Sequence, residues 1–403
     1  MRRQIVWLHR WTGLLMAGFL IVVGVTGSLL AFYGELNHLL APEIYGAPHG
    51  GATLDAATLA RRAETLVPDG QINMIYFGYD APVAEISMEA KPDTPPLDFD
   101  YIYLDRHTGA ELGRMFWGAA PTTRAAIMPF VYQLHMTLVA GDVGAWILGL
   151  VALAWTLDCF VGFYLTLPEP SDRSQKSILT RWKPAWLIKI SGSFFRVNFD
   201  LHRAGGLWLW LALLIFAWSG VYMNLNGFYT SAMSLLFDYQ RPVDARNDSS
   251  PNEKKPMSWD AAQATARRLM AEQAQVAGFE TTREVALILS RDNGVFEYRV
   301  YSSRDIGDHY GQTSLTFDAS TGEMRNLSLP TGAHFGNTLT AWLYELHKAN
   351  VFGLPYKMFV SAFGLLVVML SVTGIYIWWK KRRARKRHVA GAAVQTMLAQ
   401  ESH

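Results

Sequence analysis

Cysteine is almost missing from this chain of 403 residues: Cys159 is the single one, so no disulfide can form within it. The same count excludes the C-x-x-C-H attachment of a c-type haem. No stretch matches a Walker loop or a G-x-G-x-x-G opening, so no nucleotide or flavin site is visible. Charge is scarce as well, at 17% of residues, where soluble proteins carry about 25%. The net charge of +2 says little by itself, and no nucleic-acid partner is expected. What fills the chain instead is apolar: half of the residues are hydrophobic, and 14 are Trp.

Four apolar runs, at 11–33, 144–167, 205–225 and 355–379, approach or exceed the roughly 20 residues that span a bilayer. The first follows Arg2 and Arg3, as a signal peptide would. It is too long for one, no small-x-small cleavage site follows, and 35–40 reads on as helix, so it is expected to be a retained anchor. Basic residues then set the orientation. They concentrate before the first run (Arg2, Arg3, Arg10), between the second and third (Arg173, Lys176, Arg181, Lys183, Lys189, Arg196, Arg203) and after the fourth (Lys380 to Arg387). A four-span chain puts all three on one side. The expected layout is a cytoplasmic N-terminus and first span at 1–33, an exported segment at 34–141, a second span at 142–167 and a cytoplasmic loop at 168–204. A third span at 205–225, an exported segment at 226–354, a fourth span at 355–379 and a basic cytoplasmic tail at 380–403 complete it. Tyr164, Trp378 and Trp379 fall where an interfacial aromatic belt is expected.

The chain also repeats itself. Leu8-His9-Arg10, Gly13, Leu14 and Gly27 recur 193 residues later as Leu201-His202-Arg203, Gly206, Leu207 and Gly220. Tyr132, Leu134-His135, Gly141, Gly162 and Tyr164 recur 212 residues later as Tyr344, Leu346-His347, Gly353, Gly374 and Tyr376. Each half reads as span, exported lobe, span, and two parallel copies imply a pseudo-two-fold axis along the membrane normal. The lobes match too. The first predicts a helix at 54–66 capped by Asp55, then strands at 72–79, 84–88 and 99–104. The second predicts a helix from Ser258 to about 275, then strands at 284–289, 296–301 and 314–317. Both carry an Asp-x-x-Thr-Gly turn, at 105–109 and 318–322, and 241–256 reads as a linker. The expected fold is an α-helical membrane protein of four transmembrane helices in a tandem parallel repeat, with two periplasmic α+β lobes.

The paired Leu-His-Arg and Leu-His motifs, with exported lobes bearing Asp-x-x-Thr-Gly, resemble the PepSY-associated transmembrane proteins over about residues 4–383. These are often called iron-regulated membrane proteins. The resemblance implies a bacterial inner-membrane location and PepSY-like lobes. Some members are ferric-siderophore reductases that bind b-type haem, which implies that cofactor, a ferric siderophore as partner, and an electron donor that is quinol or a cytoplasmic reductase. The family's second motif usually reads Leu-His-x-Gly; here it reads Leu-His-Met-Thr and Leu-His-Lys-Ala.

A haem b within a bilayer needs neutral imidazoles aimed at iron and an apolar slot. His9 with His202, and His135 with His347, occupy matched positions and are the expected iron ligands of two haems. Ionisable groups at membrane depth are functional candidates by default. His9 and Gly27 share a helix face, as do His202 and Gly220, and these small residues leave room for a flat macrocycle. Arg10 and Arg203 either meet haem propionates or simply set topology. Gly13, Gly162, Gly206 and Gly374 read as helix-packing residues, and Cys159 as a packed side chain of the second span. His38, His107, His309 and His334 lack a matched partner, although His334 lies close enough in sequence to serve the site of His347. Tyr76, Phe77, Tyr298 and Tyr301 are candidates to line an exported docking cleft, against ordinary strand packing. The reading of a different class is a non-enzymatic transporter or a regulator of secreted proteins. Asp158 is the clear charge inside the runs, and such scarcity argues against an ion-coupled transporter.

Overall fold

The computed structural model describes residues 1–46, 51–77, 82–169, 176–241 and 255–401, with side chains described to 385. In chain order the elements are α1 (Arg2–Leu30), α2 (Tyr33–Leu40), α3 (Pro42–Tyr45), α4 (Ala56–Leu66), β1 (Gly70–Phe77), β2 (Val83–Ala90), β3 (Tyr101–Asp105) and β4 (Glu111–Met115). Then follow α5 (Ile127–Thr137), α6 (Gly141–Thr166), α7 (Ile178–Trp182), a 3₁₀ turn at Lys183–Trp186, α8 (Phe194–Trp208), α9 (Trp210–Asn224) and α10 (Asn226–Leu236). The remainder is α11 (Trp259–Ala277), β5 (Thr281–Ser290), β6 (Val295–Ser302), β7 (Thr313–Asp318), β8 (Met324–Ser328), α12 (Phe335–His347) and α13 (Gly353–Glu401). The expected linker at 241–256 falls almost wholly outside the described residues.

The chain divides into two compact units, one of residues 1–28, 140–225 and 359–403, the other of residues 29–139 and 226–358. The first is helical. Among the described residues, Arg2–Leu30, Gly141–Thr166 and Gly353–Arg385 are each long and apolar enough to cross a membrane. The third expected run is not one straight helix. α8 starts at Phe194, where the Ser193 hydroxyl accepts from Arg196 N at 3.3 Å, and so absorbs Gly205 and Gly206. The chain then breaks at Leu209, and α9 leaves at 69°. No proline causes this; the adjacent glycines weaken the helix just upstream.

Two close crossings hold the helical unit. A Cβ on Gly24 of α1 would lie 2.7 Å from the Gly364 carbonyl oxygen of α13, and Ser28 Oγ donates to Ser361 O at 2.8 Å. A Cβ on Gly220 of α9 would lie 3.1 Å from Ala152 Cβ of α6. Gly220 is therefore filled by a neighbouring helix and leaves no open slot. Small residues that let backbones touch are the usual device where lipid removes the hydrophobic drive between helices. Met16, Leu20, Cys159, Leu213, Phe363 and Val367 form the packed centre, with Phe216 and Phe363 4.6 Å apart. Cys159 packs there as expected.

In the second unit the two expected α+β lobes are joined edge to edge. Its eight strands form one antiparallel sheet, in the order β4-β3-β2-β1-β5-β6-β7-β8. Each half contributes a four-stranded meander, and β1 pairs with β5 through Met74↔Ile288, Ile75↔Leu287 and Tyr76↔Ala286. The physical reason is edge satisfaction: unjoined, β1 and β5 would each present a row of unpaired backbone groups. α4 and α11 share one face of this sheet and one core. Leu59, Ile75, Phe296 and Phe317 are fully buried there, each contributing about 1.5–3 kcal/mol. Both predicted caps form: Asp55 accepts from Thr58 N at 2.9 Å and Ser258 from Ala261 N at 3.3 Å. Both Asp-x-x-Thr-Gly turns close alike. Asp105 accepts from His107 N and Thr108 N, Asp318 from Ser320 N and Thr321 N, while Gly109 and Gly322 take φ of 70° and 74°.

The other face of the sheet is aromatic and polar. Tyr45, Tyr103, Tyr101 and Trp117 follow one another at ring separations of 6.1–6.5 Å. Glu85 of β2 lies among them, and burial pushes its carboxyl up to about 7. A carboxyl raised in the fold takes up a proton on folding, so stability is complete below the unfolded value of 4.5 and falls as pH rises to about 7. Glu85→Gln removes that loss. The variant is expected to be more heat-stable than the parent at pH 8, by at most about 3 kcal/mol, and equal to it near pH 4. Melting curves at the two pH values check this, and a gain confined to low pH contradicts it.

Candidate functional site

The structure brings the four matched histidines together as two pairs, one in each unit. The His9 and His202 ring centroids are 6.1 Å apart with planes at 57°. The His135 and His347 centroids are 6.2 Å apart with planes at 68°.

Each ring in the first pair stands on a glycine. A Cβ on Gly162 of α6 would lie 3.5 Å from His9 Cε1, and one on Gly374 of α13 would lie 3.2 Å from His202 Cε1. These two glycines, expected to serve helix packing, lie where each helix meets a histidine of its neighbour. Gly13 and Gly206 face open space, with nothing within 4 Å of an added Cβ. His9 Nδ1 lies 2.9 Å from Asp158 Oδ1, and the Asp158 side chain is only 9% exposed. His202 Nδ1 lies 3.0 Å from Leu370 O and 3.2 Å from Thr373 Oγ1. A carbonyl and a carboxylate only accept, so in each ring Nδ1 carries the hydrogen that donates, and Nε2 is the nitrogen left to take a metal. Arg2 ties α1 to the end of α6, donating to Leu165 O and Leu167 O at 2.9 and 3.0 Å.

The two candidate arginines part company. Arg203 donates to Asp200 Oδ1 at 2.8 Å and Pro184 O at 2.6 Å, and the fully buried Asp200 also pairs with Arg196 at 2.8 Å. This clamp holds the 184–189 segment against α8. Arg10 makes no hydrogen bond or ion pair among the described residues.

The second pair is held by the sheet unit. α5 packs its Tyr132 against Trp117 at 5.1 Å and Tyr33 at 6.0 Å, which sets His135 one turn further on. α12 is fixed by the fully buried Glu345, which accepts from Gln312 Nε2 and Asn350 Nδ2. Asn350 O in turn accepts from Asp308 N at 2.7 Å. Both helices end in left-handed backbone. Ala349, where the family motif has glycine, takes φ of 53°, and after α5 it is Leu138 and Val139, at 54° and 55°. The turn thus survives without glycine, at a cost of about 1–2 kcal/mol per residue.

Some expectations fail here. His334 caps the far end of α12, 13 residues from His347, or roughly 20 Å. Its Nδ1 sits 3.0 Å from the Asp238 carboxylate, so it does not join the pair. Phe77 and Tyr298 lie in the core under α4 and α11, whereas Tyr76 and Tyr301 point to the opposite face. The four cannot line one cleft, because neighbours in a strand alternate sides.

The geometry suits a metal macrocycle. Two imidazoles holding one metal between them, each at about 2 Å and with the offset from nitrogen to ring centre added, would have centroids about 6 Å apart. Both pairs have that separation. Among the described residues no group of three or more His, Cys, Asp and Glu could hold a bare metal ion. Two protein ligands suffice when a porphyrin supplies the other four.

Apolar helices of spanning length, joined to a large antiparallel sheet domain, define a multi-pass membrane protein. The chain belongs to the family described as the PepSY-associated TM region, whose model matches residues 6–381. No curated protein matches the chain at a significant level.

Proposed function

We propose that the chain is a four-span inner-membrane electron carrier that reduces a periplasmic ferric chelate, a ferric siderophore, and releases Fe(II). In this reading α8 and α9 form the third span, the halves are a tandem repeat, both termini are cytoplasmic and the sheet unit is periplasmic. The observation that carries it is the pairing of His9 with His202 and of His135 with His347 at ring-centroid separations of 6.1 and 6.2 Å. Each pair would hold one haem b. When bound, haem supplies one-electron transfer and is poorly suited to hydride transfer. Around the first pair, Asp158, Leu370 and Thr373 orient the rings, the apolar helices exclude water, and Arg10, unpaired among the described residues, would meet a propionate. Gly162, which abuts His9, lies 21 residues along α6 from Gly141, about 31 Å. That length matches a hydrocarbon core about 30 Å thick, as a membrane span requires. Fe(III) reduction is a one-electron step, and hard oxygen chelators hold Fe(II) far less tightly. The folded mass lies in the exported segments, so the acceptor is met there, while quinol or a cytoplasmic reductase supplies electrons.

Protein from haem-replete cells is expected to be coloured, with a pigment that acid-acetone extracts. Reduced with dithionite, freed of reductant and mixed anaerobically with ferric siderophores, it is expected to reoxidise and deliver Fe(II) to a ferrous trap. Pigment that stays reduced with every chelate, with no trapped iron, overturns the reductase reading. A colourless preparation overturns the haem reading.

A further inference from the structure

The two rings of the first pair are held by different chemistry. His9 donates to a carboxylate, Asp158, and His202 to a backbone carbonyl, that of Leu370, with the Thr373 hydroxyl beside it. Positions 158 and 370 are separated by 212 residues, the offset that relates Gly162 to Gly374 and His135 to His347. Each partner therefore sits four residues before the glycine that seats its histidine. The second copy shows that a carbonyl is enough to aim a ring at this position. Asp158 does more than orientation requires, at the cost of an almost fully buried carboxylate in an apolar helix.

From this asymmetry we propose that Asp158 is a positioning residue that sets the reduction potential of the His9/His202 site below the value a carbonyl partner would give. The inference rests on the haem reading above. A carboxylate on Nδ1–H pulls that proton, raises the basicity of Nε2 and places negative charge one ring away from the iron. Little water screens that charge inside the bundle, so it acts more strongly than at a surface. Ferric iron carries one more positive charge than ferrous, so the oxidised state gains. The site then gives up its electron more readily, which suits a carrier that must pass electrons onward.

Asp158→Asn keeps the shape of the side chain and an oxygen acceptor while removing the charge. Optical redox titration of the haem-loaded variant is expected to show one of the two potentials raised. The expected change is at least tenfold in the Fe(III):Fe(II) preference, about 59 mV for a one-electron couple, with the other potential unmoved. Two unmoved potentials overturn the proposal. If the variant loses the haem of this pair, the parent protein decides. Near-infrared magnetic circular dichroism of the parent is then expected to put the ligand-sensitive charge-transfer band that the variant lacks at an energy different from that of a bis-imidazole model haem, and an equal energy overturns the proposal. A colourless parent removes the haem reading itself, and this inference with it, an outcome distinct from a haem-loaded protein whose potentials ignore Asp158.

Discussion

Alanine at His9 or His202 is expected to halve the haem content and leave the second site filled; alanine at His135 or His347 is expected to do the reverse. The argument is geometric. Each pair lies inside one compact unit, and its rings are 6.1 or 6.2 Å apart, so each proposed haem would be held by two histidines of its own unit. Without one imidazole that haem would keep a single protein ligand and is expected to be lost on purification. The surviving low-spin spectrum should belong to the untouched pair alone, and extracted haem per protein should fall from two to one. Circular dichroism confirms that the variants remain folded. If every folded single variant lost both haems, the sites would not be independent and the pairing would be wrong.

A comparably large effect is expected at the crossing of α1 and α13. A Cβ on Gly364 would lie 2.5 Å from Gly24 O, and one on Gly24 would lie 2.7 Å from Gly364 O. These are contacts with backbone, which cannot rotate away as a side chain can. Gly364→Leu must push the helices apart, at a cost of about 3 kcal/mol, and the melting temperature in detergent should drop sharply. α1 carries His9 and α13 carries the glycine under His202, so the first site should lose haem affinity together with stability. Gly13→Ala is the control: nothing lies within 4 Å of the added methyl, and the expected change is a small gain of about 0.5–1 kcal/mol. Equal melting of Gly364→Leu and the parent contradicts this account of the crossing.

Much of the fold was legible because it rests on short-range patterns. The six predicted strands overlap β1 to β3 and β5 to β7, since apolar residues alternate where one face of a sheet packs on helices. β4 and β8 escaped notice: each has five residues, lies at a sheet edge and has no fully buried side. The β1–β5 seam joins segments some two hundred residues apart, and nothing local in either strand announces its partner. The bend at Leu209 was equally hidden, because its cause is a pair of glycines rather than a proline. The histidine pairs were legible from the two repeat offsets. Their settings were not, since a glycine under a ring and a glycine between helices look alike in sequence. The aromatic cleft failed for a reason that strand alternation already held, because adjacent Tyr76 and Phe77 must face opposite ways. Asp158 stood out as a charge among apolar residues, but only its 2.9 Å approach to His9 gives it a task.

The seam between β1 and β5 bears on how the protein is made. β1 ends at Phe77, and the strand that covers its open side begins at Thr281. At about 5–20 residues per second, a ribosome needs roughly 10–40 s to travel between them. During that interval the first meander has one unpaired flank and only its own half of the shared core, while the chain from α5 to α11 is still being made. Nascent chains halted before residue 281 should therefore be the form most dependent on chaperones and most readily degraded.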